Sequence, residues 1–164
     1  MVLNRLEKYW LLAVAAALGA YTAALIAGVV VFGIHLPSPV GRINPQNLDT
    51  TAFSAPGVHH IGGNRYEVYI LARMWAFDAG PDGGAAGTPP TLHFPQGSEV
   101  TFYVTSKDVV HGFYIEEHSL NLEVVPGQVV RGTVNFGKPG TFNLVCHEYC
   151  GAGHQIMYGT IVVE

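Results

Sequence analysis

The chain has 164 residues, of which 49% are hydrophobic and 12% are charged, a length that suits one domain with one further segment. This composition excludes an intrinsically disordered chain, which needs low hydrophobicity and high net charge. Eight basic and twelve acidic residues give a net charge of −4, which excludes the basic surface of a nucleic-acid-binding protein.

The hydrophobic residues are concentrated in an uncharged run of 24 residues, 11–34. At about 1.5 Å per residue a helix of that length spans a bilayer core of roughly 30 Å. The run is longer than the apolar region of a cleaved signal peptide, which is about 7–15 residues. We therefore predict one uncleaved transmembrane helix in contact with lipid. Arg5 and Lys8 precede it, which favours a cytoplasmic N-terminus and places the rest of the chain outside the cytoplasm.

Proline residues separate this helix from the rest of the chain. Pro37 and Pro39 cannot continue a helix, so we predict a linker over 36–60. The chain then divides into an N-terminal segment with the helix, 1–35, the linker, and a folded domain over 61–164.

The domain consists of short runs rich in Val, Tyr, Phe and Thr, divided by Gly and Pro, which is typical of β-strands. About seven strands in about 100 residues predict a two-sheet sandwich or Greek-key barrel. The segment 78–90, DAGPDGGAAGTPP, is either a tolerated insertion or a flap near a docking surface. The predicted strands cover 66–77, 91–94, 99–106, 109–116, 129–136, 141–146 and 158–163.

One stretch near the C-terminus holds soft and borderline metal ligands at close spacing. Cys146, Cys150, His154 and Met157 follow the pattern C-x3-C-x3-H-x2-M, and such ligands favour copper over magnesium or calcium. Two thiolates can bridge two metal ions, each of which then needs a terminal imidazole. His111, at the start of a predicted strand, is the best candidate for the second imidazole.

The same residues leave other interpretations open. Cys146 and Cys150 would add little stability as a disulfide, because the loop that they close is short. A Cys2His2 set would suit structural zinc. A mononuclear blue-copper carrier would use Cys150 and leave Cys146 idle, and a copper chaperone or storage module would bind Cu(I) through the same sulfurs. We expect the remaining histidines to be surface or structural residues: His35, His59, His60, His93, His118 and His147.

The order and spacing of the two motifs resemble subunit II of the heme–copper oxidases. The likeness covers most of the chain from about residue 65 to its end. It implies an all-β cupredoxin-like Greek-key barrel that carries binuclear copper A. The matching residues are Cys146-x-Glu148-x-Cys150-Gly151-x-x-His154-x-x-Met157 and Asp108-Val109-Val110-His111-Gly112-Phe113.

The resemblance also implies a role for each matching residue. Two thiolates would bridge the coppers, two imidazoles would be terminal ligands, and a thioether would be a weak axial ligand. The backbone carbonyl of Glu148 would be the other weak ligand, and its side chain would bind magnesium at the interface with subunit I. The bridging thiolates would be those of Cys146 and Cys150, the terminal imidazoles those of His111 and His154, and the axial thioether that of Met157.

The implied function is that of an electron-transfer subunit of a terminal cytochrome c oxidase. Because the copper ligands are retained, the expected donor is a cytochrome c-type protein, and electrons would pass to heme in subunit I for oxygen reduction coupled to proton translocation. The single helix is similar to the B-type oxidases. A small third subunit is a further expected partner. The expected location is a bacterial or archaeal plasma membrane, with the copper domain on the periplasmic or extracellular face.

Three residues outside the ligand set have roles implied by the resemblance. Trp75 and Phe77 occupy a place similar to the surface aromatics above the copper, which predicts that they accept electrons from the donor. Core packing is the alternative for both. Glu7 resembles a carboxylate that admits protons to the channel of subunit I, and the alternative is a solvated glutamate stabilised by the helix dipole.

Overall fold

The structure is a computed structural model that describes residues 4–32, 38–84 and 87–164. These residues belong to two units, an N-terminal one and a second one, Ser38–Glu164. His35, which we expected to be a surface or structural residue, lies outside the described residues.

The N-terminal unit contains one helix in its described part, α1 (Arg5–Val30). The helix begins at a capping box, in which Asn4 Oδ1 accepts the backbone N–H of Glu7 at 2.9 Å and Glu7 Oε2 accepts that of Asn4 at 2.8 Å. This arrangement satisfies two N–H groups that a helix start leaves without partners. No residue of α1 is buried, and the helix is long and apolar enough to cross a bilayer. The segment fits the single-pass anchor that the sequence predicted.

The second unit is a sandwich of two β-sheets, with six strands in one sheet and five in the other within the described residues. In the first sheet the strand order is β1-β9-β6-β3-β2, with β4 paired to β3, and in the second sheet it is β5-β11-β10-β7-β8. The strands are β1 (Gly41–Arg42), β2 (Gly57–Gly62), β3 (Arg65–Arg73), β4 (Ala76–Asp78), β5 (Thr91–Phe94), β6 (Ser98–Ser106), β7 (His111–Ile115), β8 (Leu120–Val124), β9 (Gln128–Phe136), β10 (Gly140–Val145) and β11 (Tyr158–Val163).

Alternating side chains fill the space between the two sheets. In β6 the side chains of Val100, Phe102 and Val104 are buried, whereas Glu99 points to solvent. Each fully buried side chain of this size stabilises the fold by about 1.5–3 kcal/mol relative to its exposed state. The prediction of an all-β sandwich with one N-terminal helix is confirmed.

The segment that we predicted as a linker, 36–60, differs from the structure from Ser38 onward. Strand β1 pairs with β9, and β2 pairs with β3. Between these strands, Leu48 and Phe53 are buried against Leu71 and Val129 on the outer face of the first sheet. The proline-rich pattern correctly excluded a helix, but strand pairing and two buried apolar side chains hold this segment on the domain.

The described part of the 78–90 loop is tied to the edge of the first sheet. A 3-10 turn, Pro81–Gly83, carries Asp82, whose Oδ2 accepts the backbone N–H of Val58 at 2.9 Å. Gly80, just before the turn, has a φ of 64°, and a Cβ there would overlap the backbone carbonyl oxygen of Pro56.

Gly80→Ala is therefore expected to lower the free energy of unfolding by about 2 kcal/mol more than Gly63→Ala. Gly63 is a control for a positive φ, because its φ is 59° and a Cβ there has no atom within 4 Å. Urea unfolding of both variants and the parent chain measures the difference. Equal losses would show that the contact with Pro56 relaxes without cost.

Candidate metal centre

The candidate ligands come together because β10 lies between β7 and β11 in the second sheet. Antiparallel pairing of Leu144 with Ile115 and of Val145 with Tyr114 places the start of β7 beyond the end of β10. His111, the first residue of β7, therefore lies beside the loop 146–157 that joins β10 to β11. One strand start and one loop build the whole cluster.

The two thiols lie at the centre of the cluster, and each has an imidazole beside it. Cys146 Sγ is 3.9 Å from Cys150 Sγ and 3.9 Å from His111 Nδ1, whereas Cys150 Sγ is 3.5 Å from His154 Nδ1. Met157 Sδ lies 3.7 Å from Cys150 Sγ. The cysteines are free and buried. Ligand atoms of His111, Cys146 and Cys150 lie within 4.8 Å of one another and could hold a metal ion.

The backbone carbonyl of Glu148 also lies at the cluster, because its oxygen is 3.3 Å from Cys146 Sγ. Its side chain points elsewhere, with Oε1 at 3.4 Å from Nδ1 of His147, and both side chains are partly exposed. The structure thus brings together all six residues that the sequence singled out as copper ligands. It leaves the Glu148 carboxylate outside the cluster.

Asp108 and His111 form the polar contact that orients the second imidazole. His111 is fully buried, and its Nε2 is 2.8 Å from Asp108 Oδ1. The other carboxylate oxygen, Oδ2, accepts the backbone N–H of Met74 at 2.7 Å. A carboxylate on Nε2 leaves Nδ1 free to face Cys146. The sequence motif includes Asp108, but we predicted no role for it. An acidic residue three positions before a candidate ligand histidine could have indicated a partner for the imidazole.

Electrostatics make the two thiols unequal. Burial alone would raise the pKa of Cys146, but its contact with His111 and the backbone N–H groups of Gly112 and Glu148 lower it overall. Burial, reinforced by the neighbouring Cys146, raises the pKa of Cys150 to about 11. Burial alone would lower the pKa of His111, because it disfavours the charged imidazolium. The interactions of the ring with Cys146 and Asp108 are together stronger, and they raise the pKa overall. At neutral pH the metal-free cluster therefore keeps the Cys150 proton.

Trp75 covers the ligand loop. Its indole N–H donates to the backbone carbonyl of Cys150 at 3.2 Å, and a Cβ at Gly153 would lie 2.5 Å from its ring. The ring is 40% exposed, so it contacts both the cluster and solvent. Phe77 does not match the prediction of a surface aromatic, because it is 1% exposed and packs edge-to-face against Phe113 in the core.

The remaining predicted residues have contacts of other kinds. Glu7 caps α1, which agrees with its alternative role at a helix start. His147 packs its ring against Gly112 and contacts Tyr114 edge-to-face. His118 packs between Phe136 and Phe142. The contacts of the other described histidines are likewise with surface or packing residues: His59, His60 and His93.

Comparison with known proteins gives one consistent family. Residues 87–164 match the family model for cytochrome c oxidase subunit II, periplasmic domain. Cytochrome c oxidase subunit 2 of Thermus thermophilus is 38% identical over 168 residues, which cover 96% of this chain and 91% of that protein.

Solved structures agree with this result. A cryo-EM structure of a heme–copper terminal oxidase dimer contains a chain that is 35% identical, with a TM-score of 0.67 and coverage of 98% of this chain and 100% of that chain. The periplasmic domain of subunit II of cytochrome oxidase from Bradyrhizobium japonicum is 19% identical, with a TM-score of 0.51 over 60% of this chain and 83% of that chain. The latter shares the fold, which confirms the predicted cupredoxin-like architecture.

Metal affinity of the cluster is expected to rise with pH. A metal–thiolate bond requires Cys150 to lose its proton, and a pKa of about 11 means that the proton is still bound across the neutral range. The apparent binding constant should therefore increase at least about tenfold for each pH unit between pH 6 and pH 8, since His111, whose pKa is raised, and Cys146 also release any proton that they still hold. Chelator competition at three pH values measures the slope, and a pH-independent constant would contradict the prediction.

Proposed function

The chain belongs to the cytochrome c oxidase subunit II family, and we propose that its cluster of cysteines and histidines binds binuclear copper A, which accepts electrons from a cytochrome c-type donor for heme in subunit I. One observation carries the proposal: each of two adjacent buried thiols has its own imidazole. This pairing is what two bridged metal ions require and one ion does not.

The donor set fits this group. The Cys146 and Cys150 thiolates and the Nδ1 atoms of His111 and His154 would hold the copper pair. Met157 and the carbonyl of Glu148 would be weaker ligands, because Met157 Sδ lies by Cys150 and the carbonyl lies by Cys146. When bound, the copper pair supplies one-electron transfer with little change in bond lengths, since the electron is shared over both ions.

The protein supplies rigidity to these ligands. Cys146 and Cys150 are 8% and 3% exposed, and Met157 is 2% exposed. The Cys146 backbone N–H donates to the Met157 carbonyl at 3.1 Å, which closes the base of the loop. Ligands held by packing and by backbone hydrogen bonds keep their geometry when the charge of the centre changes. The reorganisation accompanying electron transfer is therefore small.

Exposed apolar side chains on the β3–β4 turn and on the ligand-bearing segments would form the surface that meets the donor. They extend from the β3–β4 turn to the ligand loop, and Trp75 connects them to the cluster through Cys150. A donor that docks here contacts apolar side chains, so it needs little charge pairing at the point of electron transfer. The surface consists of Met74, Trp75, Val109, Tyr149 and Ile156.

The membrane partner would contact α1. All of its residues lie unburied in the structure, and the uncharged run 11–34 suits lipid, subunit I and a small third subunit. A cytoplasmic N-terminus would place Glu7 on the cytoplasmic side, where it would admit protons to subunit I. The copper domain would then lie on the periplasmic or extracellular face of a bacterial or archaeal plasma membrane. The exposed carboxylate of Glu148 would be available for magnesium at the interface with subunit I.

The full chain reconstituted with copper is expected to bind two copper ions that share one unpaired electron, giving a seven-line hyperfine pattern in electron paramagnetic resonance. Cys146→Ser should remove one bridge and convert the spectrum to four lines or abolish binding. His118→Ala is the control, since His118 packs against Phe136 and Phe142 rather than the cluster. One copper per chain with a four-line pattern in the unaltered protein would overturn the proposal.

Trp75→Leu is expected to slow electron transfer from a reduced cytochrome c by about tenfold or more, because the ring is the contact between solvent and the Cys150 carbonyl. Tyr149→Leu is a matched control, since Tyr149 is 79% exposed on the same loop and contacts His154 only at the ring edge. Tyr149→Leu should mainly raise the donor concentration that gives half the maximal rate. Stopped-flow mixing of the assembled oxidase separates the two effects, and equal slowing would contradict the role of Trp75.

A further inference from the structure

Asp108 connects two parts of the site. Its Oδ1 faces His111 Nε2 at 2.8 Å, and its Oδ2 accepts the Met74 N–H at 2.7 Å. We propose that Asp108 is a positioning residue that fixes both the metal-facing imidazole of His111 and the turn that holds Trp75 over the ligand loop. This inference rests on the proposed function, and it deepens it by linking a ligand to the electron-entry ring through one carboxylate.

The first half of the link concerns the His111 ring. The ring is fully buried, so its tautomer is determined by its protein contacts. A carboxylate oxygen only accepts, so Nε2 carries a proton, and the ring nitrogen left to bind a metal is Nδ1. Nδ1 is the atom that lies 3.9 Å from Cys146 Sγ. Asp108 thus presents the nitrogen lone pair that the metal requires.

The second half of the link concerns the β3–β4 turn. Met74 is held at its N–H by Asp108, and the next residue, Trp75, donates its indole N–H to the Cys150 carbonyl at 3.2 Å. The turn is therefore fixed at both ends, once to the segment before His111 and once to the ligand loop. Without the Asp108 bond, the turn keeps the Trp75 indole hydrogen bond and the pairing of Arg73 with Ala76.

Hydrogen bonds with neighbouring residues fix the position of the Asp108 carboxylate. Its Oδ1 accepts the Val109 N–H at 2.7 Å, and the Asp108 N–H donates to Ser106 Oγ at 3.2 Å. Three N–H donors, from Met74, Val109 and His111, thus converge on its two oxygens. An amide in its place has one accepting oxygen and two donor hydrogens, so Asp108→Asn must turn a donor toward either Met74 or His111.

The first test uses the metal-free full chain in detergent, in a Trp10→Phe background that leaves Trp75 as the only tryptophan. Nitrogen-15 NMR reports the His111 tautomer, and acrylamide quenching reports the accessibility of Trp75. In Asp108→Asn we expect a mixed tautomer or a quenching constant about twofold higher. Asp82→Asn is the control, because Asp82 accepts a single backbone N–H, from Val58. Unchanged tautomer and quenching in Asp108→Asn would overturn the proposal.

The second test uses the copper-loaded chain. Loss of the carboxylate should weaken copper binding about 10- to 100-fold and raise the reduction potential, because an imidazole without its anionic partner donates less charge to the metal. Asp108→Glu keeps both accepting oxygens and should retain the parent tautomer. If Asp108→Asn fails to fold, Asp108→Glu replaces it in the NMR measurement. A mixed tautomer of His111 in Asp108→Glu would then overturn the proposal.

The two tests distinguish this inference from the proposed function. If the unaltered chain fails to bind two coppers while Asp108→Asn still disturbs His111 and Trp75 in the metal-free protein, copper A is wrong and the positioning role stands. If copper A forms in the unaltered chain and Asp108→Asn leaves the metal-free readouts and the potential unchanged, the positioning role is wrong and the function stands.

Discussion

The site depends on one structural constraint, the pairing of β10 with β7 on one side and β11 on the other. This pairing fixes the start of β7 beside the end of β10 and requires the connection to β11 to return over the same end of the sandwich. Five of the six candidate ligands lie in that connection, 146–157, and the sixth is His111 at the start of β7. A slip of one residue in the β7–β10 register would turn His111 to the opposite face of its sheet.

The second consequence of this placement is electrostatic. Two thiols and an imidazole are buried at the edge of an apolar core, where an unpaired charge is costly. The metal-free protein meets this by keeping a proton on Cys150, whose pKa is about 11, and by directing N–H groups and His111 at Cys146. The sandwich core also holds the two cysteines and Met157, so the ligands are preorganised for a metal.

The sequence was sufficient for those parts of the site that are local in the chain. The spacing from Cys146 to Met157 lies within one loop, and the distant His111 was predicted from its place at the start of a strand, in agreement with the resemblance of motifs. The sequence was insufficient for Phe77, which the resemblance placed with Trp75 at the surface. A turn at Met74 and Trp75 ends β3 before β4 begins, so the period is broken and only Trp75 reaches the surface.

Reasoning from local pattern also explains why we predicted the segment 36–60 to be a linker. The pattern of proline and glycine indicates which regular structure a segment cannot form. It does not predict the burial of isolated apolar side chains such as Leu48 and Phe53. These anchors are non-local contacts, whose value depends on Leu71 and Val129 being on the outer face of the first sheet. Local pattern therefore predicted most of the core strands but missed β8 and the strands of the covering segment.

Among the ligands, His111 is the one whose position does not follow from the geometry of the loop. Its five partners move together if the loop moves, but His111 belongs to another strand and keeps its place only through its own contacts. For this reason a change beside His111 can alter the spacing of the centre, whereas the same change within the loop would carry the other ligands along. Asp108 is the polar partner of that ring, and it also holds the turn of Trp75. The proposed control of the ligand geometry and of the path to the donor would therefore depend on one carboxylate outside the ligand set.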